Sequence, residues 1–203
     1  MSLRFAQILS YILHPAIIPS LGAFLILNVI PEHITSEQIR YTTAFVFLST
    51  YIVPAAFSLI MRQMGMIQSL HMSDAKDRRY PFMVSIVFFA FTGYTLYNNG
   101  VAMEIVAVLA ASAVTLLIFL AFLSVTKLSV HLAGMGGLTA TVLYLSYTYH
   151  LMLLETLALA VLLSGLLGTA RLKLKAHTTF QILSGYGIGL ACTFIAFHLL
   201  EFV

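Results

Sequence analysis

The sequence predicts an all-α, polytopic transmembrane helical bundle, and three observations carry that prediction. Of the 203 residues, 61% are hydrophobic and only 8% charged, against roughly 25% charged in soluble domains. The charges fall between long uncharged runs: residues 5–31, 41–61, 80–103, 105–126, 128–154, 156–170 and 176–200 contain no Asp, Glu, Lys or Arg. Those runs are continuously apolar rather than strictly alternating, which excludes a transmembrane barrel and leaves the helix to satisfy the backbone within lipid.

A helix needs about 20 apolar residues to cross a hydrocarbon core of about 30 Å. Six runs reach that length unaided, and the run 156–170 does so by starting near Leu151 and taking in Glu155 close to its end. Seven spans are therefore expected, near 8–30, 41–61, 81–99, 103–125, 131–149, 151–169 and 179–201. The first run is too long, and too poor in a small-residue cleavage signal, for a secretory signal peptide. No Gly-, Pro- or Ser-rich linker and no internal repeat divides the spans, so residues 1–203 are expected to form a single integral membrane domain. One cysteine, Cys192, can form no internal disulfide.

With seven spans, the N-terminus and the connections after spans 2, 4 and 6 share one side. That side carries Arg4, Arg62, Lys76, Arg78, Arg79, Lys127, Arg171, Lys173 and Lys175; the opposite side has only Arg40 among Glu32, Glu37, Glu104, Glu155 and Glu201. By the positive-inside rule the basic side faces the cytoplasm. The membrane is expected to be the cell inner membrane, with the N-terminus and the basic connections cytoplasmic and the C-terminus on the opposite side.

The basic side also gathers groups suited to phosphate. The connections read Asp74-Ala-Lys-Asp-Arg-Arg-Tyr-Pro81, Lys127-Leu-Ser-Val-His131, and Arg171-Leu-Lys-Leu-Lys-Ala-His177 followed by Thr-Thr-Phe-Gln181. Each is expected at the start of a helix, where free N–H groups and the dipole favour an anion, with Pro81 as a first-turn proline. Arg offers a planar fork to phosphate oxygens and Lys a point charge; a histidine can attack phosphorus or donate a proton near neutral pH. Each piece alone also fits a topogenic anchor or an interfacial residue. What points to a site is a histidine in two separate connections of one face. His14, His150 and His198 pair with no motif and are assigned to packing or to the interface. Gly134, Gly137, Gly165, Gly168, Gly185 and Gly189 are expected to let helices approach closely, and Tyr144, Tyr147 and Tyr149 to form an interfacial belt.

The order basic-Arg-Pro, Ser-x-His, then Arg with His six residues later resembles the three-part signature of the type 2 phosphatidic acid phosphatase superfamily, over residues 76–181. The chain looks like a divergent member. The resemblance implies a metal-independent lipid-phosphate phosphatase that needs no cofactor and works through a phosphohistidine. It implies His177 as nucleophile, His131 as proton donor to the leaving alkoxide, and Ser129 and Arg171 on the phosphate. Lys76 and Arg79, with Arg78 in reserve, would neutralise the remaining oxygens. The implied partners are a lipid phosphate, monoester or diphosphate, and the bilayer; no nucleic acid is expected.

The departures are specific. Lys76 precedes Arg79 by three residues rather than seven, Tyr80 separates Arg79 from Pro81, and Leu128, Val130 and Ala170 replace the family's Pro, Gly and Ser. Gln181 stands where the family has the Asp that orients the nucleophile. Its carbonyl can hold an imidazole N–H but cannot stabilise imidazolium by charge, so help from Asp74 or Asp77 is one expectation. The alternative is a non-catalytic membrane protein that binds or moves an anionic lipid through the same basic pocket.

Overall fold

The computed structural model describes residues 1–32, 34–70 and 74–200. Its described residues form an all-α bundle of seven helical rods. The first rod is α1 (Leu3–Ile12), a 3₁₀ turn (Pro15–Ile17) and α2 (Ile18–Val29). The second is α3 (Ser36–Phe47), which passes through one π-helical turn (Leu48–Ile52) into α4 (Val53–Gln63). Then come α5 (Ala75–Asn98), α6 (Met103–Ala121), α7 (Val130–Thr148), α8 (Leu154–Lys173) and α9 (Thr179–Leu200). Six rods are long and apolar enough to cross a membrane; the chain is an integral membrane protein. The seventh, α7, has 19 residues like α6, about 28 Å of helix. Its His, Gly, Thr and Tyr residues make it less apolar, and it is the rod most wrapped by others: α9, α8, α6, α2 and the 3₁₀ turn all pack on it.

Two departures from regular helix matter because both lie beside the site. In the first rod Pro15 has no N–H and holds His14 extended, at φ −64° and ψ 133°, as the residue before a proline prefers. The helix closes with the Leu13 N–H on the Leu9 carbonyl, and the Ser10 carbonyl is left to another donor. In the second rod Pro54 interrupts the ladder at the start of α4, and the wider π turn before it accommodates the ring. The hydroxyls of Ser49 and Thr50 bond back to Phe45 and Val46 carbonyls, and Thr92 of α5 donates to Ser49 at 2.8 Å.

Glycine sets the approach of α7 to α9. A Cβ on Gly189 would lie 2.0 Å from the Ala133 carbonyl oxygen, one on Gly136 2.1 Å from that of Tyr186, and one on Gly185 2.6 Å from that of Ser129. The small residues bring backbone onto backbone, as expected for helices packing in lipid. Gly136 carries this as much as Gly185 and Gly189 do, whereas Gly165 faces open space.

The structure moves several sequence boundaries. Lys76, Arg78 and Arg79 lie not in a loop but in the first turns of α5, so Pro81 is interior to that helix rather than in its first turn. Asp74 caps α5 by accepting the Lys76 N–H, so the chain's own carboxylate occupies the terminus expected to hold an anion. Arg171 lies in the last turn of α8. Of the three tyrosines expected at the interface only Tyr147 stands out, at 79% exposed. Tyr144 stacks on Phe197, and the Tyr149 hydroxyl donates to the Glu104 carboxylate. Glu201, the last residue of the predicted seventh span, lies outside the described residues.

Candidate functional site: a cationic cavity

The three basic segments meet at one end of the bundle. Arg78 Nη1 donates to the Leu128 carbonyl at 3.4 Å, and the Ser129 N–H donates to the Gln181 carbonyl at 3.1 Å. His177 Nδ1 lies 3.0 Å from the Lys127 carbonyl. Above them a cavity of about 580 Å³ runs into the bundle. Arg78, Arg171, His131, His177 and His14 line its polar part; Phe89, Val108 and Leu116 line the rest, with Ser112, Thr115 and Thr141 among them.

Hydrogen bonds fix the state of each ring. His177 Nδ1 faces two oxygens, the Lys127 carbonyl at 3.0 Å and Gln181 Oε1 at 3.3 Å. Neither the carbonyl nor the amide oxygen can donate, so Nδ1 carries the proton and Nε2 keeps its lone pair. Gln181 is itself held: Oε1 accepts the Thr178 N–H at 3.1 Å, and Nε2 donates to Thr126 Oγ1 at 3.3 Å. With Thr178 Oγ1 accepting the Gln181 N–H, this is a Thr-x-x-Gln cap at the start of α9. His177 is buried, and its ring is pushed down to about 4, first by desolvation and then by the charges of Arg78 and Arg171. It is therefore neutral at pH 7, with the nucleophilic nitrogen free.

His131 Nε2 lies 3.2 Å from the Ser10 carbonyl, the acceptor released by the break in the first rod, so Nε2 carries a proton there. Arg171 contributes a buried Nε with no hydrogen-bond partner among the described residues. Among the described residues no carboxylate lines the cavity, and no three His, Cys, Asp or Glu side chains are grouped to hold a metal ion. A buried cation without a paired anion is costly, so the arrangement favours an anionic ligand.

The sequence-predicted residues divide cleanly. The structure brings Arg78, His131, Arg171 and His177 to one cavity and sets Gln181 directly behind His177. Lys76 and Arg79 are exposed and line no part of it. Neighbours on a helix point in different directions, and Arg78, named only in reserve, is the residue turned inward. Ser129 is fully buried at the start of α7; its hydroxyl has no partner among the described residues and does not line the cavity. Neither acid reaches the His177 ring. Asp77 accepts the N–H groups of Gln68 and Ser69, pinning the connection before α5, and Asp74 caps its helix.

His14 is the residue that motif reading passed over. It lies on the cavity, its ring 5.7 Å from that of His131 in an edge-on arrangement and 5.6 Å from that of Tyr51 on the π turn. The available signal was His14-Pro15 with Pro19 inside a run otherwise fit for an unbroken span. No protein-family model, curated protein or solved structure matches the chain.

Proposed function

We propose that this chain is a lipid-phosphate phosphatase of the cell inner membrane, with its cavity mouth on the cytoplasmic side. The observation that carries the reading is the composition of the cavity. Among the described residues, two arginines and three histidines, and no carboxylate, line a chamber whose walls are otherwise largely apolar. A phosphomonoester or diphosphate on an apolar tail has that same division of charge. The resemblance to the type 2 phosphatidic acid phosphatase superfamily supports it: the matching positions His131, Arg171 and His177 converge.

The reaction follows from the ring states. Arg171 and Arg78 neutralise the phosphoryl oxygens, the main contribution a protein makes to such a transfer. His177 Nε2 attacks phosphorus in line; an N–P bond forms and the P–O bond to the lipid breaks. His131, which takes a second proton at Nδ1 only once the negative charge of the phosphate lies beside it, and is steadied at Nε2 by the Ser10 carbonyl, gives that Nδ1 proton to make the leaving alkoxide an alcohol. Neutral again, it takes a proton from water as that water attacks the phosphohistidine, freeing phosphate and His177. Nδ1–H of His177 donates to the Lys127 carbonyl throughout, so positive charge developing on the ring has an acceptor beside it.

Gln181 in place of a carboxylate favours the alternative, a protein that binds or moves an anionic lipid without cleaving it. Phosphate release by the purified protein decides between them, measured against phosphatidate, phosphatidylglycerophosphate, diacylglycerol pyrophosphate and isoprenoid diphosphates. Release from at least one, lost in His177→Ala, is expected. Saturable lipid binding with no release from any of them would establish the alternative.

A further inference from the structure

We propose that His14 is a third histidine of the site: a neutral imidazole whose Nε2–H donates a hydrogen bond to a phosphoryl oxygen of the bound ligand. This rests on the anion-site reading above and adds a residue that no motif assigned.

His14 is the N-cap of the 3₁₀ turn, and its Nδ1 accepts the Ala16 N–H at 3.3 Å. A nitrogen that accepts an amide hydrogen cannot carry its own proton, so the ring proton sits on Nε2. Protonating Nδ1 would break the cap. The ring is thereby kept neutral with one N–H to give.

Placement supplies the second line. His14 and His131 lie edge-on at 5.7 Å on the wall that also holds Arg171 and Arg78. Their roles are complementary. His131 has committed Nε2–H to the Ser10 carbonyl, so in its neutral state it has no N–H for an oxygen in the cavity. His14, capped at Nδ1, has one in its neutral state. The His-Pro break thus supplies the site twice, freeing the Ser10 carbonyl to orient His131 and presenting the His14 ring. A cap alone would require an acceptor at position 14, as Asn or Ser provides; it would not require the ring to sit against His131 in the cavity.

Two amide substitutions separate cap from donor. In His14→Asn the short side chain can accept the Ala16 N–H but does not reach the Nε2 position. In His14→Gln the amide nitrogen reaches that position but serves poorly as a cap. Binding of inorganic phosphate to the purified full-length protein in detergent is measured by calorimetry, with lipid-phosphate turnover beside it. A hydrogen bond to a charged oxygen is lost in His14→Asn, so phosphate should bind roughly 10- to 100-fold more weakly, while His14→Gln keeps most of the affinity. Normal binding by His14→Asn, or equal weakness in the two variants, would overturn the role of His14 alone. No binding of phosphate by the wild type would instead sink the anion-site reading. The wild type also tests the idea without any variant. In ¹⁵N-histidine-labelled protein, phosphate should shift the His14 Nε2 resonance and leave that ring neutral; an unmoved resonance, or a ring that gains a proton, rejects it.

Discussion

Gln181→Asp puts a carboxylate beside a ring that now sees only neutral acceptors and two guanidinium groups. Gln181 Oε1 lies 3.3 Å from His177 Nδ1; Asp, one methylene shorter, brings its oxygens to a separation on the order of 4–5 Å. Opposite charges 4 Å apart at an effective dielectric of 20 attract by about 4 kcal/mol. A carboxylate at 4–6 Å accordingly moves a partner by about 1–3 pKa units. The His177 ring should rise from about 4 toward the range of an ordinary histidine. The sign follows from the nucleophile having to be neutral: activity is lost as pH falls through the folded pKa. Wild type should hold kcat/KM from pH 7 down to about pH 5 so far as His177 is concerned, and the variant should lose it about 1–3 units higher. Above pH 8, where the His177 ring is neutral in wild type and variant alike, the variant should be as fast or faster, because the carboxylate steadies positive charge forming on that ring. Gln181→Ala should lower turnover only modestly, since the Lys127 carbonyl still holds Nδ1. The assay is kcat/KM against pH for wild type and both variants, with an independent His177 titration by NMR. A wild-type His177 that titrates near 6.5, or an acid limb that stays put in Gln181→Asp, would refute this account of the ring.

Other expectations follow from placement. Arg78→Ala should weaken phosphate binding and turnover by at least 10-fold, while Lys76→Ala and Arg79→Ala, both on exposed positions, should each change them less than 3-fold; titrating phosphate into the three variants checks this. Gly189→Ala drives a methyl to 2.0 Å from the Ala133 carbonyl; separating α7 from α9 should lower the thermal midpoint in detergent and, where protein survives, cut turnover about 10²-fold by misplacing the site. Reporter fusions after Ala75, Ser129 and Lys175 should all report cytoplasm, and one at Val203 the opposite side; a split among the first three would break the topology.

The fold class was legible because lipid imposes a constraint that composition records directly: uncharged runs of sufficient length must be helices. The ends of the rods were less legible. The first turns of α5 are strongly polar, and a hydropathy argument places them in a loop, yet Asp74 caps them into the helix. The departure from helical regularity at the π turn leaves no mark except Pro54. At the site, spacing found His131, Arg171 and His177 because each stands next to a helix end that the run boundaries locate. Spacing could not choose between Arg78 and Arg79, because one residue of helix rotates a side chain by about 100°. His14 was missed because its partners, Ala16 nearby and His131 across the bundle, belong to no motif. The oxygen on which His177 leans most closely, the Lys127 carbonyl, is backbone and has no residue signature at all.

The central claim is that His177 Nε2 takes the phosphoryl group. Rapid quenching of the wild-type protein with a ³²P-labelled lipid phosphate, followed by an acid-lability test and peptide mapping, looks for that bond directly. The account predicts an acid-labile, base-stable phosphoenzyme on His177 that forms and decays within one turnover, and none in His177→Ala. A His177→Ala protein that still releases phosphate at the wild-type rate would contradict it.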